Sequence, residues 1–251
     1  MPAASGGERC FRLVMEEKKK IYIQTFGCQM NVHDSDQIAA LMLEAGYGPT
    51  DDPRQADLIV INTCSIREKA AEKVYSQLGR FAALKEENPS LVIAVGGCLA
   101  QQWGAKFFRR SQVLDIVFGT HNIHKLPEMV RTASLRRVQV TETAFHKSVP
   151  SLALQVVPAP GKISAFVTIM QGCNNFCSYC IVPYVRGREE SRPHGDILDE
   201  VGMMVENGVR EVTLLGQNVN SYGLGTNGSG YRFPDLLRDI GRIEGIKRIR
   251  F

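Results

Sequence analysis

The chain alternates between short apolar runs and longer segments in which apolar residues recur every three or four positions. KIYIQTF, Lys20 to Phe26, reads as a strand that ends at Gly27 and Cys28. Beyond it, Asn31, Asp34 and Ser35 offer capping side chains, and Ile38, Leu41, Met42 and Ala45 follow at helical spacing until Gly46 stops the pattern. DLIVINTC, Asp57 to Cys64, has the near-continuous apolar character of a strand covered on both faces. Arg67 to Glu87 is then an amphipathic helix, with Pro89 just past its end. The same alternation returns in LVIAVGGC, Leu91 to Cys98, with a helix through about Arg110, and in LDIVFG, Leu114 to Gly119, with a helix to about Ser134. Four strand–helix units in succession predict an α/β domain over residues 20–134, built as a doubly wound parallel sheet.

From Leu135 to Gly161 the periodicity fades and Pro150, Pro158 and Pro160 accumulate, which predicts a linker over 135–161. ISAFVTIMQG, Ile163 to Gly172, resumes the strand pattern and runs into a cysteine-rich loop. A helix follows from about Gly195 to Glu206 with Gly208 as its stop, then the strand EVTLLG from Glu211, a loop rich in Gly and Asn, and a short helix from Phe233 to about Ile243. KRIRF at the end reads as a third strand. Three strands of this type cannot close a parallel barrel, and a bare KRIRF edge is a template for further pairing. Residues 162–251 are therefore expected to be the first part of an incomplete β/α barrel, and the chain an N-terminal fragment. Residues 1–19 read as an N-terminal extension, with Met15 standing directly before EEKKK and Cys10 upstream of it as an unligated thiol.

Composition narrows the class. Hydrophobic residues at 44% and charged residues at 22% belong to a folded globular chain and exclude a disordered or collagen-like one. No apolar run approaches the roughly 18 residues that cross a bilayer, and the N-terminus has no apolar segment of a secretory signal, so a cytoplasmic protein with no membrane partner is expected. A net charge of +4 permits contact with nucleic acid without requiring it. Seven cysteines without a signal peptide argue against a disulfide framework and for metal or redox chemistry.

GCNNFCSYC sets Cys173, Cys177 and Cys180 at Cys-x3-Cys-x2-Cys. Three thiolates on one short loop hold three corners of a cubane cluster and leave one iron open, whereas zinc would want a fourth ligand, for which His194 is the nearest candidate. The spacing is the signature of radical S-adenosylmethionine (SAM) enzymes, and its place after a strand matches where barrel active sites lie. Cys28, Cys64 and Cys98 are separated by 36 and 34 residues, but each lies just past the carboxyl end of an expected parallel strand. In open α/β sheets those ends meet at a crevice, so the three are either a second cluster site or buried cysteines acting as small hydrophobes.

TFGCQMN, INTCSIREKAAEK, GGCLAQ, GCNNFCSYCIVPYVRGREESRP and LLGQNVNSYG together resemble the methylthiotransferases, over about Lys20 to Phe251 and in the family's order. Gln29, Met30 and Asn31 after Cys28, and Gln217 to Asn220, are most similar to the branch acting on N6-dimethylallyladenosine (isopentenyladenosine) in tRNA. The resemblance implies two [4Fe-4S] clusters. One is held by Cys173, Cys177 and Cys180 and cleaves SAM; the other is an auxiliary cluster on Cys28, Cys64 and Cys98 that supplies sulfur. The implied product is 2-methylthio-N6-dimethylallyladenosine beside the anticodon. Implied partners are the tRNA anticodon stem-loop, SAM and an electron donor such as flavodoxin or ferredoxin, with the enzyme a monomer. The alternatives are a sibling acting on threonylcarbamoyladenosine in tRNA or on a ribosomal protein aspartate, and a non-catalytic iron-sulfur electron carrier.

Smaller features stay open at this level. Tyr179 and Phe176 either shield the cluster and pack near a bound adenine or simply fill core space. Gln217 and Asn218, at a strand's carboxyl end, are candidates for cofactor contact or are surface loop residues. Arg186, Arg188 and Arg192 suit phosphates or the SAM carboxylate, or form a solvated charged face with Glu189 and Glu190. GLGTNG, Gly223 to Gly228, opens no helix and is discounted as a phosphate loop, Asn227-Gly-Ser229 as a glycosylation acceptor has no role in the cytosol, and His121 and His124 read as capping or packing residues.

Overall fold

The computed structural model describes residues 19–65, 69–146, 156, 161–224 and 230–251. Cys10, the start of the helix expected from Arg67, residues 147–155 and 157–160 of the expected linker, and residues 225–229 of the glycine-rich loop lie outside them.

The first region is a six-stranded sheet of β1 (Lys19–Phe26), β2 (Tyr47–Pro49), β3 (Leu58–Thr63), β4 (Val92–Gly97), β5 (Ile116–Phe118) and β6 (Val140–Glu142). All pairs are parallel and the order is β2-β1-β3-β4-β5-β6. Four helices cover it: α1 (Gln29–Glu44), α2 (Ala70–Glu87), α3 (Cys98–Trp103) and α4 (Leu126–Arg136). Side chains of a strand alternate between faces, and β3 and β4 are apolar on both. Leu58, Val60, Val92 and Ala94 join a core with Ile38 and Met42 of α1 and Leu126 and Met129 of α4. Ile59, Ile61, Ile93 and Val95 join a second core with Val74, Leu78 and Phe81 of α2 and Leu99 of α3. Each large buried side chain contributes about 1.5–3 kcal/mol, so the two cores fix the register of the central strands. The sheet is doubly wound, as its sequence pattern predicts. Strand order reverses between β1 and β3, where such sheets open a crevice.

Three boundaries differ from the sequence pattern. β2 is a three-residue edge strand containing Pro49, too short for periodicity to reveal. The helix expected to reach Arg110 stops at Trp103, because Gly104 takes a left-handed φ of 49° and the chain continues as a 3-10 turn over Gly104–Arg109. The stretch read as a linker begins inside the first region: α4 runs to Arg136, and Val140–Glu142 returns to pair with Ile116–Phe118.

The second region has a parallel sheet of β7 (Ser164–Thr168), β10 (Glu211–Leu215) and β11 (Arg248–Arg250), in the order β11-β10-β7. α6 (His194–Glu206) and α7 (Phe233–Gly241) pack Ile197, Val201, Met204, Leu236 and Ile240 against Val167, Val212 and Leu214. The strand expected over Ile163 to Gly172 breaks at Ile169. Its tail, β8 (Met170–Gln171), pairs antiparallel with β9 (Glu190–Ser191) and closes the base of the cysteine loop, which carries the short α5 (Val182–Val185). Among the described residues no helix is long and apolar enough to cross a membrane.

Candidate functional site

Register decides where Cys28, Cys64 and Cys98 lie. Phe26 of β1 is the partner of Thr63 in β3, and Thr63 is the partner of Gly97 in β4, so the three strands end side by side. Neighbouring strands stand about 4.8 Å apart, and the cysteines follow one or two residues later. Cys64 lies within hydrogen-bonding reach of both Cys28 and Cys98. Cys64 and Cys98 are buried and Cys28 is exposed, and none of the six described cysteines is in a disulfide.

The bed beneath these thiols is polar. Asn62 donates through Nδ2 to the Asn31 carbonyl at 2.8 Å and to Ser35 Oγ at 2.9 Å, and Asn31 Oδ1 accepts from the Cys28 amide at 3.3 Å. Gly97 has a φ of 91°, and a Cβ there would collide with Asn62 Oδ1 and the Thr63 backbone. Only glycine lets β4 turn into α3 at this distance from β3. The hydrogen bond with Cys64 lowers the Cys28 thiol from 9.0 to about 5, against burial and with help from the Asn31 and Met30 amides at the start of α1. Cys98 falls from 9.0 to about 6, again through Cys64 first, with burial opposing and Arg186 assisting.

Cys173, Cys177 and Cys180 occupy the loop above β8 and β9. Cys173 is buried, Cys180 half-buried and Cys177 exposed. The Cys173 amide donates to the Gly187 carbonyl at 3.2 Å and the Cys180 amide to the Cys177 carbonyl at 2.9 Å. Gln217, just past β10, accepts from the Gly172 amide and so ties the loop to the neighbouring strand end. Asn218 stands at the start of a 3-10 turn, and the Ser221 hydroxyl there lies 2.6 Å from Glu189 Oε2 and 2.8 Å from the Asn218 carbonyl, its one hydrogen shared between them. Tyr179 is 91% exposed and Phe176 is exposed at a φ of 46°, edge-on to Tyr184 and under Arg188. Core packing is therefore excluded for both.

The arginines divide. Arg188 is exposed, but Arg186 and Arg192 are buried, which corrects both expectations of a phosphate-facing or solvated cluster. Arg192 Nη1 donates to Glu200 at 2.6 Å and to the Thr168 carbonyl at 2.8 Å. Arg186 reaches the first region: Nη2 and Nη1 meet the two oxygens of Asp34 at 2.6 and 3.2 Å, and Nε donates to Cys98 Sγ at 3.3 Å. A guanidinium buried this way needs compensation. Burial opposes its charge, but Asp34 and Cys98 hold its pKa above the ordinary arginine value. His33, unremarked in the sequence, is also buried at this seam, with Nδ1 3.2 Å from Thr168 Oγ1 and burial lowering its pKa from 6.5 to about 4. His121 packs, its Nε2 3.0 Å from the Arg186 carbonyl, and His194 stacks on Tyr231 rather than approaching a cysteine.

Three thiols at each location form a soft donor set suited to iron-sulfur chemistry. Among the described residues no group of three or more His, Cys, Asp or Glu is placed to hold a metal ion. Residues 20–119 match the model described as Uncharacterized protein family UPF0004, and residues 167–251 match that of the Radical SAM superfamily. The chain is 59% identical over 239 residues to tRNA-2-methylthio-N(6)-dimethylallyladenosine synthase of Syntrophus aciditrophicus, covering 95% of this chain and 52% of that protein. By these matches the chain is similar to the methylthiotransferases of the radical SAM superfamily. The Geobacter sulfurreducens protein of the same name is 54% identical over 238 residues, covering 94% of this chain and 53% of its own. The chain thus spans about half the length of the curated relatives it matches. Among solved structures, the radical SAM methyltransferase TsrM from Kitasatospora setae shares the fold at 11% identity and a TM-score of 0.59, covering 88% of this chain and 50% of that one. The cobalamin-dependent radical enzyme OxsB does so at 13% identity and a TM-score of 0.56, covering 92% and 38%.

Proposed function

We propose that this chain carries the cysteine machinery for converting N6-dimethylallyladenosine next to the tRNA anticodon to its 2-methylthio derivative, in the cytoplasm. The observation that carries the reading is the meeting of Cys28 and Cys98 around Cys64 at three adjacent strand ends, on a chain that also bears the Cys173, Cys177 and Cys180 loop. In this reading each set of three thiolates holds a [4Fe-4S] cluster, and Tyr179, Gln217 and Asn218 face SAM. When bound, the clusters and SAM supply the electron, the hydrogen-abstracting radical, the sulfur and the methyl group.

The chain's own residues prepare these sites. Thiols lowered to about 5 and 6 are largely ionised at neutral pH and ready to ligate. Gln217 and the β8–β9 pair fix the second loop at both its base and its flank. Exposed Tyr179, Phe176 and Tyr184 offer ring faces on which an adenine can stack.

An anaerobic assay of the reconstituted full-length protein with SAM, reduced flavodoxin and tRNA bearing either isopentenyladenosine or threonylcarbamoyladenosine tests the reading. An apolar isopentenyl group gains by burial, whereas threonylcarbamoyl brings a carboxylate that needs a cation. Methylthiolation of the isopentenylated tRNA is expected. Faster turnover of the threonylcarbamoylated tRNA would move the assignment to the sibling activity, and SAM cleavage by neither would leave an electron carrier.

A further inference from the structure

Arg186 stands six residues past Cys180, yet its side chain lies 152 residues away in sequence from its ion-pair partner Asp34 and 88 from the sulfur it approaches. The attachment is extensive. The Val185 carbonyl accepts from Thr120 Oγ1 at 2.7 Å, and the Arg186 carbonyl lies 3.0 Å from His121 Nε2. A structural ion pair needs only Asp34, whose carboxylate already takes both terminal nitrogens of the fork. The third donor, Nε, is spent on Cys98 Sγ, and a neutral thiol is a weak acceptor. A cationic N–H directed at sulfur makes physical sense when that sulfur carries charge, as a thiolate does whether free or bound to a cluster.

We infer that Arg186 is a positioning residue that couples the two cysteine sites, donating to the Cys98 sulfur from the loop that carries Cys173, Cys177 and Cys180. The inference rests on the reading that Cys28, Cys64 and Cys98 hold a cluster. Two consequences follow. The loop of one site is held at a fixed place relative to a ligand of the other. The hydrogen bond also withdraws electron density from that ligand, which raises the potential of the auxiliary centre.

The test uses the 251-residue chain with Cys173, Cys177 and Cys180 all replaced by Ala, so that iron reports on the auxiliary site alone. Into this background go Arg186→Met with Asp34→Leu, an apolar pair of similar bulk that leaves net charge unchanged, and separately Arg186→Lys, which keeps the charge but loses Nε. Iron content, melting temperature and midpoint potential are measured. The background is expected to load about four irons per chain. Both variants should fold, and their midpoints should move to more negative potential. A folded double variant that loads no iron supports the same role, since Arg186 is then what holds Cys98 in place. If the double variant fails to fold, the Arg186→Lys potential decides. Iron-loaded variants with unmoved potential overturn the coupling and leave the cluster reading standing. A background that binds no iron overturns both.

Discussion

Cys173, Cys177 and Cys180 sit within one loop, whereas Cys28, Cys64 and Cys98 are delivered by three neighbouring strands of a sheet whose cores are fully apolar. In the loop, the three cysteines come from eight consecutive residues, and two of the three thiols remain accessible. At the strand ends, gathering requires the register of β1, β3 and β4, the polar bed of Asn31, Asn62 and Ser35, and an arginine from the other region. The first set of cysteines is close in sequence and depends on β7, β10 and the seam only through the anchors of its loop. The second is as stable as the sheet, so anything that shifts the sheet should disperse it.

The largest expected effect separates the arginines. Arg186→Ala leaves Asp34 as a buried carboxylate without its cation and should cost about 3–5 kcal/mol in urea unfolding of the metal-free chain. Arg188→Ala removes an exposed contact over Phe176 and should cost under about 1 kcal/mol. Equal effects would mean that the seam between the regions contributes nothing special.

Acidification comes next. His33 is kept neutral by burial, with its pKa moved from 6.5 to about 4, so the unfolded chain binds more protons between those values. The stability this gives is present above pH 6.5 and lost as pH falls through 4, on the order of 3 kcal/mol. Cys28 and Cys98, lowered from 9.0 to about 5 and about 6, act in the same direction: their contribution is present above pH 9 and declines toward those values. The urea midpoint of the metal-free chain should therefore fall between pH 7 and pH 4.5, and His33→Gln should flatten part of that slope. A midpoint that rises on acidification contradicts this account of the seam.

Much of this was legible in the sequence, for identifiable reasons. β3 and β4 are covered on both faces, so their apolar runs are continuous and the doubly wound sheet could be read from them. Three cysteines at matching strand ends implied a crevice, and Cys-x3-Cys-x2-Cys is self-contained. β2 and β6 escaped because three-residue edge strands carry no periodicity. The role of Arg186 escaped because a long side chain's destination depends on tertiary packing. A signal did exist: α1 buries Asn31, His33, Asp34 and Gln37 as well as Met30 and Ile38, an unusual polar load for a core-facing helix. Such a helix is sandwiched between two partners, and here the second partner is the region that contains β7.

Glycine substitutions sharpen the contrast at about 1–3 kcal/mol. Gly97→Ala forces a Cβ into Asn62 and Thr63 at a φ of 91° and should lower the stability of the first region together with iron retention by Cys28, Cys64 and Cys98. Gly172→Ala, at a φ of 81° with the Arg188 carbonyl in the way, should disturb only the cysteine loop, as read by iron retention in a Cys28, Cys64 and Cys98 to Ala background. At the seam itself, Thr168→Val removes the hydroxyl beside His33 and should cost about 1 kcal/mol in unfolding.

The central claim, two distinct three-cysteine centres on one chain, is tested most directly by iron and acid-labile sulfide analysis after anaerobic reconstitution. The unaltered chain should hold about eight irons, and replacement of either Cys28, Cys64 and Cys98 or Cys173, Cys177 and Cys180 by Ala should leave about four. An unchanged iron count in either triple variant, or complete loss of iron in one of them while the protein remains folded, would contradict it.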